Sequence, residues 1–120
     1  RQLVARTRQP TALAYRLPSK YGNRRTEVDG ITFASKREAE RYQDLRLLEK
    51  AGNITDLGCQ PRFPLVVNGM KVSTYVADFE YREKHNPVLV VEDVKGARTR
   101  EYRLKKKLML ALNGIAVRET

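Results

Sequence analysis

Cysteine, histidine and tryptophan are almost missing from this 120-residue chain: it holds Cys59, His85 and no Trp. One thiol cannot close an intramolecular disulfide or build a Cys-rich zinc site, and it fits a reducing cytoplasm. Cys59 itself reads as a packing residue in a strand. One imidazole, set beside Asn86-Pro87 in a predicted turn, leaves a His-dependent nuclease or a zinc hydrolase short of ligands. His85 is therefore read as a loop residue. No apolar run is long enough to cross a bilayer, and the basic N-terminal stretch lacks the apolar core of a signal peptide. Neither basic stretch has the Trp/Phe-rich amphipathic face of a membrane-surface helix. No Gly-rich loop runs into Lys-Ser/Thr, so nothing points to nucleotide hydrolysis.

Acids are scarce in two particular places. No Asp or Glu precedes Glu27, while Arg1, Arg6, Arg8, Arg16, Lys20, Arg24 and Arg25 do. Lys95, Arg98, Arg100, Arg103, Lys105, Lys106 and Lys107 face one acid, Glu101. The chain as a whole carries a formal charge of +10, from 24 Lys/Arg against 14 Asp/Glu. Two separated basic blocks are the electrostatic footprint of a polyanion held from two sides, with nucleic acid the expected partner.

What remains suits one modest domain. Residues 1–20 lack sustained periodicity and read as a basic arm, with 21–120 as the folded domain. Asp29-Gly30 and Asn68-Gly69 each lie between alternating residues, a strong hairpin signal. Ser35 to Ala51 reads as a helix, with Ser35 as N-cap, Glu38 completing a capping box and Gly52-Asn53 as the stop. Ile54–Val67 reads as a strand region broken by Gly58, Pro61 and Pro64, and Met70–Arg82 and Val88–Lys95 read as strands, the last nearly continuously apolar, as in a central strand covered on both faces. A second helix is predicted over about Thr99–Leu112, buried through Leu104, Leu108, Ala111 and Leu112. Ile115-Ala116-Val117 closes the chain as a short strand. The order helix, three strands, helix, strand predicts an α/β fold with a mixed sheet.

Chemistry concentrates in Tyr75-Val76-Ala77-Asp78-Phe79-Glu80-Tyr81 and in Val88 to Gly96. Side chains alternate faces along a strand. Asp78 therefore shares a face with Thr74, Val76 and Glu80, opposite Tyr75, Ala77, Phe79 and Tyr81. In the second run Leu89, Val91, Asp93 and Lys95 share one face, and Glu92 takes the other with Val88, Val90 and Val94. The acid-x-Lys pair is thus Asp93 and Lys95. Two carboxylates and a lysine at the ends of adjacent strands can bind a divalent cation and position a water. An ordinary ion pair at a strand end would give the same short pattern.

With their order along the chain, these motifs resemble the PD-(D/E)XK nuclease superfamily, whose core is a restriction-endonuclease-like mixed sheet flanked by helices. Lys20-Tyr21-Gly22-Asn23, Ile31 to Tyr42, Tyr75 to Phe79 and Val91 to Lys107 are similar to a small phage and prophage endonuclease family. That family is related to Holliday-junction resolvases and was long catalogued as a domain of unknown function. The resemblance spans about residues 20 to 119, and Ala77 departs from the Pro of the superfamily name. It implies that Asp78 and Asp93 hold Mg²⁺, or Mn²⁺ in its place, and that Lys95 positions or activates water. It also implies that Glu38 adds an acid to the metal site, although the capping box explains Glu38 without metal. Gln60 is either a further polar group beside the site or a local strand partner. The implied activity is metal-dependent hydrolysis of phosphodiester bonds by an endodeoxyribonuclease selective for branched DNA in phage recombination or DNA processing. A homodimer in the host cytoplasm is implied as well. Arg98, Arg100, Arg103, Lys106 and Lys107 are expected on phosphate, with Arg24 and Arg25 in the other block, and Tyr102 stacked or packed near the site. The alternative is a non-catalytic nucleic-acid-binding protein with two basic clamps. Asp78 and Asp93 speak against it, since acids in a basic groove repel phosphate unless a cation intervenes.

Overall fold

The computed structural model describes residues 25–94 and 98–120. The basic arm, Arg24 and Lys95 lie outside the described residues. The chain divides into two units, residues 1–44 and 45–120, with the division inside helix α1 (Lys36–Lys50).

In the first unit, β1 (Thr26–Val28) and β2 (Ile31–Phe33) form an antiparallel hairpin. Its turn is the expected Asp29-Gly30, both at positive φ (54° and 77°), which matches the right-handed twist of the strands. Tyr42 on α1 packs its ring against Phe33 and donates its hydroxyl to Asp29 Oδ2 (2.9 Å), tying the helix to that turn. The α1 N-terminus is capped as predicted, with Ser35 Oγ accepting the Glu38 N–H. At the C-terminus, Gly52 is left-handed, the Asn53 N–H reaches Leu48 O and the Gly52 N–H reaches Glu49 O. That pair of bonds satisfies carbonyls the helix leaves open.

The second unit contains β3 (Ile54–Cys59), β4 (Arg62–Val67), β5 (Met70–Val76), β6 (Phe79–Glu83), β7 (Leu89–Asp93), helix α2 (Arg100–Asn113) and β8 (Arg118–Glu119). Its main sheet runs β3-β6-β7-β8, and β4 and β5 pair with each other as a separate two-stranded sheet. β3, β6 and β7 are antiparallel neighbours, whereas β8 returns parallel to β7 after the α2 crossover. The α/β class is as expected: the described residues form a mixed sheet and two helices.

Two predicted strand regions are each divided in the structure, the first next to Pro61, one of its expected breaks. Ile54–Val67 breaks at Gln60, which is left-handed (φ 55°) and followed by Pro61, and Met70–Arg82 breaks at Ala77-Asp78. The two breaks face each other. Gln60 N–H donates to Asp78 O (2.9 Å) and Ala77 N–H donates to Pro61 O (3.1 Å). The hairpin bends out of the main sheet at this corner without losing its backbone partners. Burial alternates as predicted: Tyr75, Ala77, Phe79 and Tyr81 are buried, and Thr74, Val76, Asp78 and Glu80 are not. The corner nevertheless sends the two halves into different layers. Tyr75 and Ala77 join Leu65, Val91, Met109 and Val117 in one cluster, while Tyr81 reaches Glu92 on the other face of β7.

The buried stripe of α2 also differs from the prediction. Met109 is its fully buried residue, Leu108 and Tyr102 pack partly, and Leu104, Ala111 and Leu112 are exposed. Tyr102, Lys106 and Met109 follow helical spacing along one side. Bonds from Tyr102 and Lys106 to Glu119 turn that side inward, which rotates the leucines out. The helix is capped at both ends: Thr99 Oγ1 accepts the Tyr102 N–H, and left-handed Gly114 donates to Leu110 O.

Candidate metal and nucleic-acid site

Asp78 sits at the corner where the hairpin leaves the sheet, and its backbone is held from two sides. Its carbonyl accepts from Gln60, and its N–H donates to Glu92 O on β7 (3.2 Å). Its Oδ2 accepts the Val94 N–H at 2.7 Å, at the point where the chain leaves β7. Phe79 pairs with Glu92, so extending the antiparallel register by one residue sets Asp78 opposite Asp93. The two acids chosen from the sequence thus stand on one face at the ends of adjacent strands. Asp93 is 5% exposed, and its carbonyl accepts the Thr120 N–H. Both side chains offer hard oxygen donors suited to a divalent cation. Among the described residues, no group of three or more His, Cys, Asp or Glu side chains comes together as a metal-holding cluster.

The parity that separated Glu92 from Asp93 is the one observed. Glu92 is completely buried on the opposite face, where its Oε1 accepts from Tyr81 (2.6 Å) and its Oε2 from Thr120 Oγ1 (2.9 Å). Arg118 lies beside this group, reaching Tyr81 Oη (3.4 Å) and Glu83 Oε2 (3.0 Å). The hydrogen bond and charge of Arg118 hold the Glu83 carboxyl below its usual range. Satisfying a buried carboxylate with two hydroxyl donors lowers the cost of removing it from water.

Glu119 is the residue the sequence reading missed. It pairs with Asp93 across the parallel β7–β8 ladder, which puts the two on one face of the sheet. Arg98 donates to its Oε1 through Nε (3.1 Å) and Nη2 (2.9 Å). Tyr102 Oη (2.7 Å) and Lys106 Nζ (3.0 Å) donate to its Oε2. Arg98 first, then Tyr102 and Lys106, hold its carboxyl down at about 2. Burial and the bond to Glu119 push the Tyr102 phenol well up, and the negative charge of Asp93 adds to the effect. Glu119 is the lone acid after Glu101 in a strongly basic stretch, and that imbalance was the available signal.

Glu119 thus occupies three of the residues expected on DNA, Arg98, Tyr102 and Lys106. The Tyr102 ring also tilts against Tyr75, whose buried hydroxyl has no hydrogen-bond partner among the described residues. Arg100, Arg103 and Lys107 are exposed on α2, with Arg103 donating to Arg98 O. Lys105 pairs with Glu101 along the helix. Arg25 is exposed in the first unit, which also carries Glu38 in the opening turn of α1. Gln60 contributes its backbone to the corner, and His85 lies exposed in the β6–β7 turn. No helix among the described residues is long and apolar enough to cross a membrane.

No curated protein and no solved structure matches the chain. A family model does match over residues 18–113, from the end of the arm through helix α2. The chain belongs to that family, the proteins of unknown function grouped as DUF1064.

Proposed function

We propose that this protein is a metal-dependent endodeoxyribonuclease that hydrolyses phosphodiester bonds in branched DNA. The observation that carries this reading is the register that sets Asp78 opposite Asp93 at the end of the central strand, two residues before Lys95 and next to a basic helix. The sequence resemblance to the PD-(D/E)XK superfamily supports it independently. The residues fit a hard cation: both carboxylates are oxygen donors, and the thiol of Cys59, paired with Phe79, belongs to the opposite face of the sheet from Asp78. Asp78 and Asp93 would hold Mg²⁺, which when bound polarises the scissile phosphate and stabilises the leaving oxygen.

The chain's own groups account for the rest. The backbone bonds of Asp78 to Gln60 and Glu92, and its side-chain bond to Val94, fix its position before substrate arrives. Lys95 supplies positive charge where the phosphorane develops negative charge, and it orients the attacking water. Arg100, Arg103 and Lys107 attract the backbone without reading sequence. The expected product is a 5′-phosphate, and a homodimer would deliver the paired cuts that a four-way junction needs.

The test is cleavage of junction, flap, fork and linear DNA in Mg²⁺ and in EDTA, with variants. Asp78→Asn, Asp93→Asn and Lys95→Ala each lose about two or more orders of magnitude in rate while the circular dichroism spectrum stays native. Full activity in EDTA, or in Asp78→Asn or Asp93→Asn, would overturn the reading.

A further inference from the structure

The β4–β5 hairpin carries an apolar tip that no catalytic role uses. Met70 is 67% exposed, Val72 53%, Val66 42% and Val67 38%, all gathered around the Asn68-Gly69 turn. Hairpin tips are ordinarily polar, and a cluster of exposed apolar residues on a small sheet marks a contact surface. The lower half of the same hairpin is anchored: Leu65 and Tyr75 are buried against Met109 and Val91, with Phe63 packed beside them. A register shift between Leu65 and Val66 separates the anchored half from the projecting one. The tip is therefore a stiff extension of the core.

Charge selects its occupant. Residues 61–77 contain Arg62 and Lys71 and no Asp or Glu, in a chain of net charge +10. Packing two such tips together would bring like charges into contact, whereas a polyanion is attracted to both. β5 ends one residue before the Ala77-Asp78 corner, so the hairpin and the proposed metal acid share one rigid base. Its seven residues reach about 20 Å, roughly six nucleotide steps. Apolar side chains inserted between base steps unstack them, and bases at a branch are the least costly to unstack.

We propose that the tip, through Val67 and Met70, is a wedge that enters the base stack at a DNA branch point and so selects branched over linear substrate. This inference rests on the reading of the substrate as branched DNA. The experiment uses the full chain with a four-way junction carrying 2-aminopurine at the branch, and a linear duplex of the same sequence. Binding and fluorescence are measured in EDTA, and cleavage is measured separately in Mg²⁺. The wild type raises 2-aminopurine fluorescence at the branch. The Val67→Ser/Met70→Ser double variant does not, and it binds the junction about tenfold more weakly with duplex binding unchanged. Equal fluorescence and junction affinity in the two proteins would overturn the wedge. So would a fall from dimer to monomer in the double variant on sedimentation, which makes the tip a contact between copies. A wild type that unstacks the branch in EDTA yet never cleaves in Mg²⁺ keeps the wedge and removes the nuclease reading.

Discussion

Neighbouring acids on β7 take opposite parts because a strand turns successive side chains to opposite faces. Asp93 stands with Asp78 and Glu119 on the α2 side, and Glu92 is buried against Tyr81 and bonded to Thr120. Glu92 is therefore structural. Glu92→Gln keeps shape and most hydrogen bonding, so it is expected to stay folded and cleave near the wild-type rate. Glu92→Leu takes the acceptor from the buried Tyr81 hydroxyl and should cost about 1–3 kcal/mol in urea unfolding. An inactive Glu92→Gln beside an active Asp93→Asn would reverse this assignment. Glu119 adds a pH dependence of known sign. Its folded carboxyl lies at about 2, below its ordinary 4.5, held there by Arg98, Tyr102 and Lys106. A depressed acid stabilises the fold above its unfolded pKa, and that contribution is lost as pH falls through the window from 4.5 to 2. The melting temperature of Glu119→Gln should lie below wild type at pH 7, and the gap should close across that window. A gap that stays constant down to about pH 2 would contradict the pairing.

Among the elements, local chemistry was the legible part. Asp29-Gly30, Ser35, Gly52, Thr99 and Gly114 each perform the turn or cap their residue type predicts, because those devices need only neighbours in sequence. The stripe of α2 was not legible, because its orientation depends on Glu119, a residue 17 positions from Tyr102. The division at Ala77-Asp78 was hidden for a similar reason, whereas Pro61 marks the break beside Gln60 in the sequence. Met70–Arg82 reads as one strand, and only its bonds to Gln60 and Pro61 reveal the corner. The Asp78–Asp93 pairing could be read in advance as to face, since parity is local, but not as to register. The rotation of α2 sorts its basic residues. Arg98 and Lys106 are paired with Glu119, whereas Arg100, Arg103 and Lys107 point to solvent. Replacing those three exposed residues with Gln should lower the slope of log K against log salt by roughly one unit for each phosphate left unneutralised, with all sequences affected alike. An unchanged slope in the triple variant would move the DNA-facing surface away from this helix.

For the whole molecule, the distribution of charge leaves the first block to be explained. Residues 1–25 hold seven positive charges and no acid, and the family match begins only at residue 18. The shared part of the family thus contains both acids and helix α2 but little of the arm. Deleting residues 1–19 is expected to leave the remaining domain folded and able to bind Mg²⁺, while weakening its hold on DNA. The deletion removes the four arginines at positions 1, 6, 8 and 16. If each meets a phosphate, the salt slope falls by about four units, with affinity losses largest at low salt, where counterion release is most favourable. The competing role is a clamp on a second subunit through Leu13, Tyr15 and Leu17. Sedimentation of the truncated protein separates the two. A clean shift from dimer to monomer assigns the arm to the subunit contact. An unchanged oligomer with weaker, less salt-sensitive binding assigns it to DNA.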